Sequence, residues 1–349
     1  MKKRILTFLL CIIIVFTITA CSNKVISIED LYNLECLKNA PKDRSDATPL
    51  LWKVTASNGG VVYLFGSIHI ADSSYLRLSD FIMQAYLDCD ALAVELDIID
   101  LDNDYAKSLE MAVMAMYLDG TNLDNHITKE LADQYLDFLI DYPEFLNRLG
   151  VTIDNIDILR NFKPGFLSGL PSSIAAEKSG LTSDYGIDML FLKISKEIKK
   201  EIIEIETVAF QANLLYNVPD ILGKMMIEDA LTFSLEDAKE DLNSLYNAWK
   251  YGDLDYFESM IDAMNDINEG LFTEGEFTAY KNYILAMYDN RNFVMADAAE
   301  SYLSIKKSTF IVVGEAHMVG ENGIVNILKD RGYTVELLSG NGLTKSIAE

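Results

Sequence analysis

The 349-residue chain carries 54 acidic against 29 basic residues, a net charge of −25, and half of its residues are hydrophobic. Such an acidic surface repels nucleic acid and anionic headgroups, and no basic stripe interrupts it, so nucleic acid is excluded as a partner. Length and apolar content suffice for a large core, and with 6 prolines and no low-complexity tract the body has little room for internal linkers.

At the start, Lys2, Lys3 and Arg4 lead into an apolar run over residues 5–20 and then Cys21. A basic start, a hydrophobic stretch and small residues before the break form the pattern of a secretory signal, and the run is shorter than the ~20 residues that a membrane helix needs. Ile18-Thr19-Ala20-Cys21 reads as a lipobox. Residues 1–20 are therefore expected to be a lipoprotein signal peptide, with lipid on Cys21 and a linker over 21–48. That would place the protein at the cell membrane, on its extracytoplasmic face. Cys36 and Cys89 then stand where disulfides persist, and two cysteines leave open whether they pair.

The body, 49–349, is expected to be one α/β domain. Residues 61–65 are a β-branched and aromatic run, followed by Gly66-Ser67-Ile68-His69, a helix around 80–87, and a second apolar run over 91–94 ended by Glu95. Mostly helical stretches at about 105–200 and 219–300 read as insertions. Within them, the methionines of 111–116 and the spaced Leu131, Tyr135, Phe138 and Leu139 are expected on buried helix faces. His126 falls in a polar loop and receives no role. A third candidate strand over 202–205 ends at Glu206, and Ser234 with Asp237 opens a helix that stops near Gly252. Residues 310–313 then precede Gly314-Glu315-Ala316-His317, a helix around 323–331 and a last run over 333–337.

The first unit's order thus recurs at the end of the chain. Strand, helix and strand at this spacing make a βαβ unit with parallel strands. The sequence predicts a mixed, largely parallel sheet built from two βαβ units, each carrying a GxxH turn, with helical insertions. Open α/β sheets place their ligands at the carboxyl edge of the strands, and each GxxH should sit there.

Of three histidines, His69 and His317 occupy matching Gly-x-x-His positions. Gly66 and Gly314 are expected to shape the two turns and display the imidazoles. Neutral imidazole suits several divalent transition metals, and two such ligands call for a carboxylate. Glu95 is the first choice, on the expectation that its strand lies next to that of His69. The second unit offers leucines at the corresponding place, and Glu206 is the candidate to fill that gap.

The blocks Leu51-Trp52-Lys53-Val54, Val62 to His69, Tyr185-Gly186-Ile187-Asp188, Ile205-Glu206-Thr207 with Gln211, Arg291-Asn292 with Met295, and Val313 to His317 resemble those of the TraB/PrgY/GumN family, in its order. That family includes the Tiki metalloproteases, which are membrane-anchored and depend on manganese or cobalt, and proteins linked to shutting down peptide pheromones. The resemblance implies an active site of His69, His317 and Glu95, supported by Glu206 and Arg291, and a divalent metal, with Mn or Co favoured over Zn. The chain departs from the family at Glu315, an extra acid expected to face water.

Three functions follow as expectations. In the first, His69, Glu95 and His317 hold a metal that activates water for peptide hydrolysis, Glu206 is the general base, and Arg291 steadies the oxyanion or clamps a substrate carboxylate. In the second, the same crevice sequesters a peptide signal without cleaving it. The third is a metal-free esterase using histidine as base. Neither HExxH nor GxSxG occurs, which argues against a zincin or a serine hydrolase.

Overall fold

A computed structural model describes residues 26–339. The expected signal peptide and Cys21 lie outside the described residues. Six strands make one sheet: β1 (Leu51–Thr55), β2 (Val61–Ser67), β3 (Ala91–Val94), β4 (Glu201–Glu204), β5 (Thr309–Gly314) and β6 (Thr334–Ser339). Their order is β4-β3-β5-β2-β1-β6. β2, β5, β3 and β4 run parallel, while β1 pairs antiparallel with both β2 and β6. The burial of each strand follows its place. β3 is buried throughout and β5 is buried up to Gly314, as central parallel strands covered on both faces should be, whereas the edge strands β4 and β6 are partly exposed.

The first unit forms as expected: Ser79 caps α1 (Asp80–Leu87), which links β2 to β3. These two strands are nevertheless not neighbours, which corrects the expectation that placed Glu95. β5 arrives from the far end of the chain and pairs with both. The helices used below are α2 (Lys129–Ile140), α3 (Ile187–Ile198), α4 (Val208–Tyr216), α5 (Asp220–Ala230), α6 (Leu235–Lys250), α7 (Glu274–Met287), α8 (Asp289–Ser304), the single turn α9 (Glu315–Met318) and α10 (Ile324–Asp330). α6 opens on the Ser234 side chain, as expected.

Two apolar clusters result. One surrounds the sheet and includes Phe65, Phe191, Phe310, Tyr86 and Trp249. The other lies among helices only, with Leu131, Tyr135, Leu136 and Leu139 of α2 against Leu167, Ile174 and Ile227. The helix Tyr105–Met114, by contrast, buries none of its residues, so Met111 and Met114 are not core methionines. A short helix following the apolar period is too brief to decide by pattern alone whether anything covers it.

The expected linker is also corrected in part. From Ile26 the chain packs on the body: Leu31 and Leu37 are buried, Tyr32 Oη donates to Leu78 O at 2.8 Å, and Glu197 accepts from the backbone N–H of Glu35 (2.7 Å) and Cys36 (3.0 Å). Leucines spaced through a polar stretch found an apolar surface to cover. Cys36 and Cys89 are both free thiols, the second buried with its Sγ donating to Ala85 O.

Candidate active site

Parallel pairing of β2 with β5, and of β5 with β3, sets three carboxyl ends side by side. His69 follows β2 by two residues, Glu95 follows β3 directly, and His317 lies in the turn α9 after β5. A Cβ placed on Gly314 would lie 3.5 Å from Glu95 Oε1, 3.5 Å from His317 Cδ2 and 3.8 Å from His69 Nε2. The three expected residues therefore converge on one space, which the missing side chain of Gly314 leaves open.

Each imidazole is held through its Nδ1. His69 Nδ1 lies 2.8 Å from Oδ2 of the buried Asp188. The loop after β2 is stitched to the start of α3 to make this contact: Ala71 and Thr182 exchange backbone bonds, and Ile187 N donates to Ile68 O. A Cβ on Gly186 would fall 2.5 Å from His69 O, so only glycine permits this approach. His317 Nδ1 lies 2.6 Å from Asn292 Oδ1 on α8. An amide oxygen only accepts, so His317 carries its proton on Nδ1 and leaves its Nε2 unprotonated.

The two histidines differ in charge preference. The Asp188 carboxylate raises His69 from its ordinary value to about 9, although His69 is itself exposed at the cleft mouth, where water moderates that pull. Burial pushes His317 down to about 4, against the pull of Glu95. For Glu95, burial opposes the charge, but His317, His69, Arg291 and the Gly314 N–H together bring it down to about 2.

Behind Glu95 lies a closed polar knot. Its Oε1 accepts from Gly314 N at 2.8 Å, and its Oε2 from Arg291 Nη2 at 2.6 Å and Gln211 Nε2 at 3.1 Å. Glu206 accepts from Arg291 through both oxygens, at 2.7 and 2.8 Å, and again from Gln211 at 2.8 Å. This corrects the roles expected of both residues. Glu206, 7 % exposed and committed to Arg291, offers no open oxygen as a base, and the guanidinium is spent on two carboxylates and Met287 O.

Glu315 departs furthest from expectation. It does not face water: it is buried, neither carboxyl oxygen has a hydrogen-bond partner, and burial raises it to about 8. Its carboxyl group occupies the space where a Gly66 side chain would be. Gly66 therefore shapes no turn; it sits inside β2, paired with Val313, and makes room for Glu315.

A cleft of about 410 Å³ opens on the site. His69, Glu95, Asp188, Gln211 and Arg291 are its polar lining, while Leu96, Ile98, Met189, Leu214 and Met287 supply apolar walls. Asp188, Asn292 and Gln211 were legible only as members of family-like blocks, and sequence reasoning assigned them no task. His126 lies elsewhere, between Asp220 and Thr121 and stacked on Tyr117, apart from the cleft.

The donor set suits a divalent ion in kind: two imidazoles with Nδ1 fixed by acceptors, and a carboxylate itself hydrogen-bonded, is the usual support of a metal site. The set is not preassembled, since among the described residues no three His, Cys, Asp or Glu side chains stand close enough to cage an ion. Among the described residues, no helix is long and apolar enough to cross a membrane.

The family model described as TraB/PrgY/gumN family matches residues 50–337. "Metalloprotease TIKI2" of Xenopus tropicalis is 26 % identical, over 85 % of this chain and 61 % of that protein's length. "Uncharacterized protein YbaP" of Escherichia coli (strain K12) is 24 % identical, over 58 % of this chain and 69 % of its own length. The chain thus spans under two thirds of the length of the first of these relatives. No solved structure matches it significantly.

Proposed function

The chain belongs to the TraB/PrgY/gumN family, and on that premise we propose that it is a metal-dependent hydrolase of peptides, tethered by lipid on Cys21 at the extracytoplasmic face of the cell membrane. The observation that carries the proposal is the convergence of His69 Nε2, Glu95 Oε1 and the His317 ring on the space left by Gly314. A match to a metalloprotease, remote as it is, supports the same reading.

His69, Glu95 and His317 would hold the ion, and manganese and cobalt are the first metals to try. When bound, a divalent ion polarises a scissile carbonyl and lowers the pKa of water toward ~7. The chain's own residues do the rest. Asp188 and Asn292 fix the tautomer and tilt of the imidazoles, so that both present Nε2. Arg291 and Gln211 hold Glu95 ionised and oriented, with Glu206 balancing the guanidinium charge. The apolar walls exclude water around the reacting bond and accept an apolar substrate side chain.

Elemental analysis of the purified protein, before and after reconstitution with Mn, Co and Zn, tests this. Near-stoichiometric metal in the unaltered chain, lost in His69→Ala and in His317→Ala together with peptide cleavage, is the expected result. A folded protein that takes up no metal under any of these conditions overturns it.

One observation favours a second reading. His69 is exposed, backed by a buried carboxylate and outside any preassembled cage, which is the geometry of a general base oriented by an acid. A metal-free esterase built on His69 and Asp188 keeps its activity in chelator, whereas the metal-dependent enzyme loses it.

A further inference from the structure

α7 is a 14-residue helix that buries none of its residues, although it carries Phe277, Tyr280, Tyr283, Ile284, Leu285 and Met287. It packs beside α5 and α8, which leaves most of these side chains half-buried. Beside it lies a second cavity, of about 550 Å³, walled by Leu222, Met225 and Met226 of α5 and by Tyr280, Tyr283 and Ile284 of α7.

The two cavities share one helix face. Glu276, Tyr280 and Tyr283 line the second cavity, and Met287 lines the active cleft. Spacings of four, three and four residues keep these side chains on a single stripe. That stripe is about 16 Å long at 1.5 Å per residue, the reach of roughly five residues of extended peptide. Tyr283, at the near end of the apolar trough, thus lies one helical turn from Met287 in the cleft.

We propose that the trough between α5 and α7 is an extended subsite for the substrate polypeptide. It would hold an apolar segment carrying a basic residue, about five residues from the bond presented to His69. This rests on the reading of the cleft as a peptide-cleaving site. The stripe of α7 that lines both cavities names the occupant, and charge selects its composition. Glu228, Asp229 and Glu276 rim the trough. Glu228 pairs with Lys224 and Glu276 caps its own helix at Thr273, while Asp229 has no ion-pair partner among the described residues. The chain as a whole carries a net charge of −25, so a cationic segment is drawn in and an anionic one repelled. The unbranched, polarisable Met225 and Met226 adapt to apolar side chains of differing shape.

The test is binding of two fluorescent peptides to the full chain in chelator, where turnover is suppressed. One is about twelve residues long, rich in leucine and isoleucine with a single lysine; the other has about four residues and reaches only the cleft. The unaltered chain should prefer the longer peptide, and Tyr280→Asp and Met226→Asp should each lower that preference about tenfold while circular dichroism stays unchanged. Leu285→Asp, on the same helix but off the stripe, should leave the preference intact. No preference in the unaltered chain, or a preference that both trough variants retain, overturns the proposal. The outcome is separable from the catalytic reading. Trough-dependent binding without cleavage under any metal keeps the subsite and removes the hydrolase, whereas cleavage with no trough dependence does the reverse.

Discussion

A single missing carbon at Gly66 is matched to a single buried acid at Glu315. Because the Glu315 carboxyl group fills the place of a Gly66 side chain, Gly66→Ala should destabilise the fold by about 1–3 kcal/mol through overpacking. Adding Glu315→Ala should recover most of that loss in chemical denaturation, and equal, additive losses would mean that the two sites are independent. Asp188→Asn keeps the shape of the His69 contact but removes the charge, so on the proposed metal-dependent reading the metal affinity measured by titration should fall about 10- to 100-fold. Arg291→Ala strands Glu95 and Glu206 without their shared cation, and a stability loss of about 3–5 kcal/mol is expected. The paired Gly-x-x-His made both histidines readable from sequence alone. Their holders were not, because Asp188 stands 119 residues from His69 and nothing local ties Asn292 to His317. Glu315 was misread for a related reason. An acid at a strand end ordinarily reaches water, and only the approach of β2 to α9 shows what covers it.

At the level of elements, local signals translated well. Ser234 caps the helix that it announced, and 80–87 and 91–94 appear as the helix and strand expected. Strand order did not translate, since period and composition say which residues form a strand but not which strand lies beside it. The clamp of the N-terminal segment by Glu197 is equally non-local, and it is titratable. Burial resists the Glu197 charge, but the N–H groups of Glu35 and Cys36 outweigh it and lower the pKa. With the folded value below the unfolded one, the clamp holds fully above the ordinary glutamate range near ~4.3 and fades as pH falls through the folded value. Protection of the Glu35 and Cys36 amides against hydrogen exchange, corrected for intrinsic rates, should therefore drop below about pH 4 and be low at all pH values in Glu197→Ala. Protection that ignores both changes would show that the buried Leu31 and Leu37 alone retain the segment.

Across the whole molecule, stability should divide along the two apolar clusters. The helical cluster around α2 is smaller and separate from the sheet, so its cooperative opening need not involve the sheet. Leu139→Ala should lower amide protection across α2 by about 2–4 kcal/mol while β2 and β5 stay unchanged, and a uniform loss would mark one cooperative unit. The α/β class and the carboxyl-edge location of the site were legible at this scale, because a motif repeated at the two ends of a chain implies one sheet that unites them. The placement of β5 between β2 and β3 has a consequence in time. A ribosome delivers the chain from its N-terminus, so His69 and Glu95 emerge long before the strand that joins them. Until residue 314 is free to enter the gap, the nascent protein has neither its central strand nor its second histidine, so the candidate site comes together only when nearly the whole chain has been delivered.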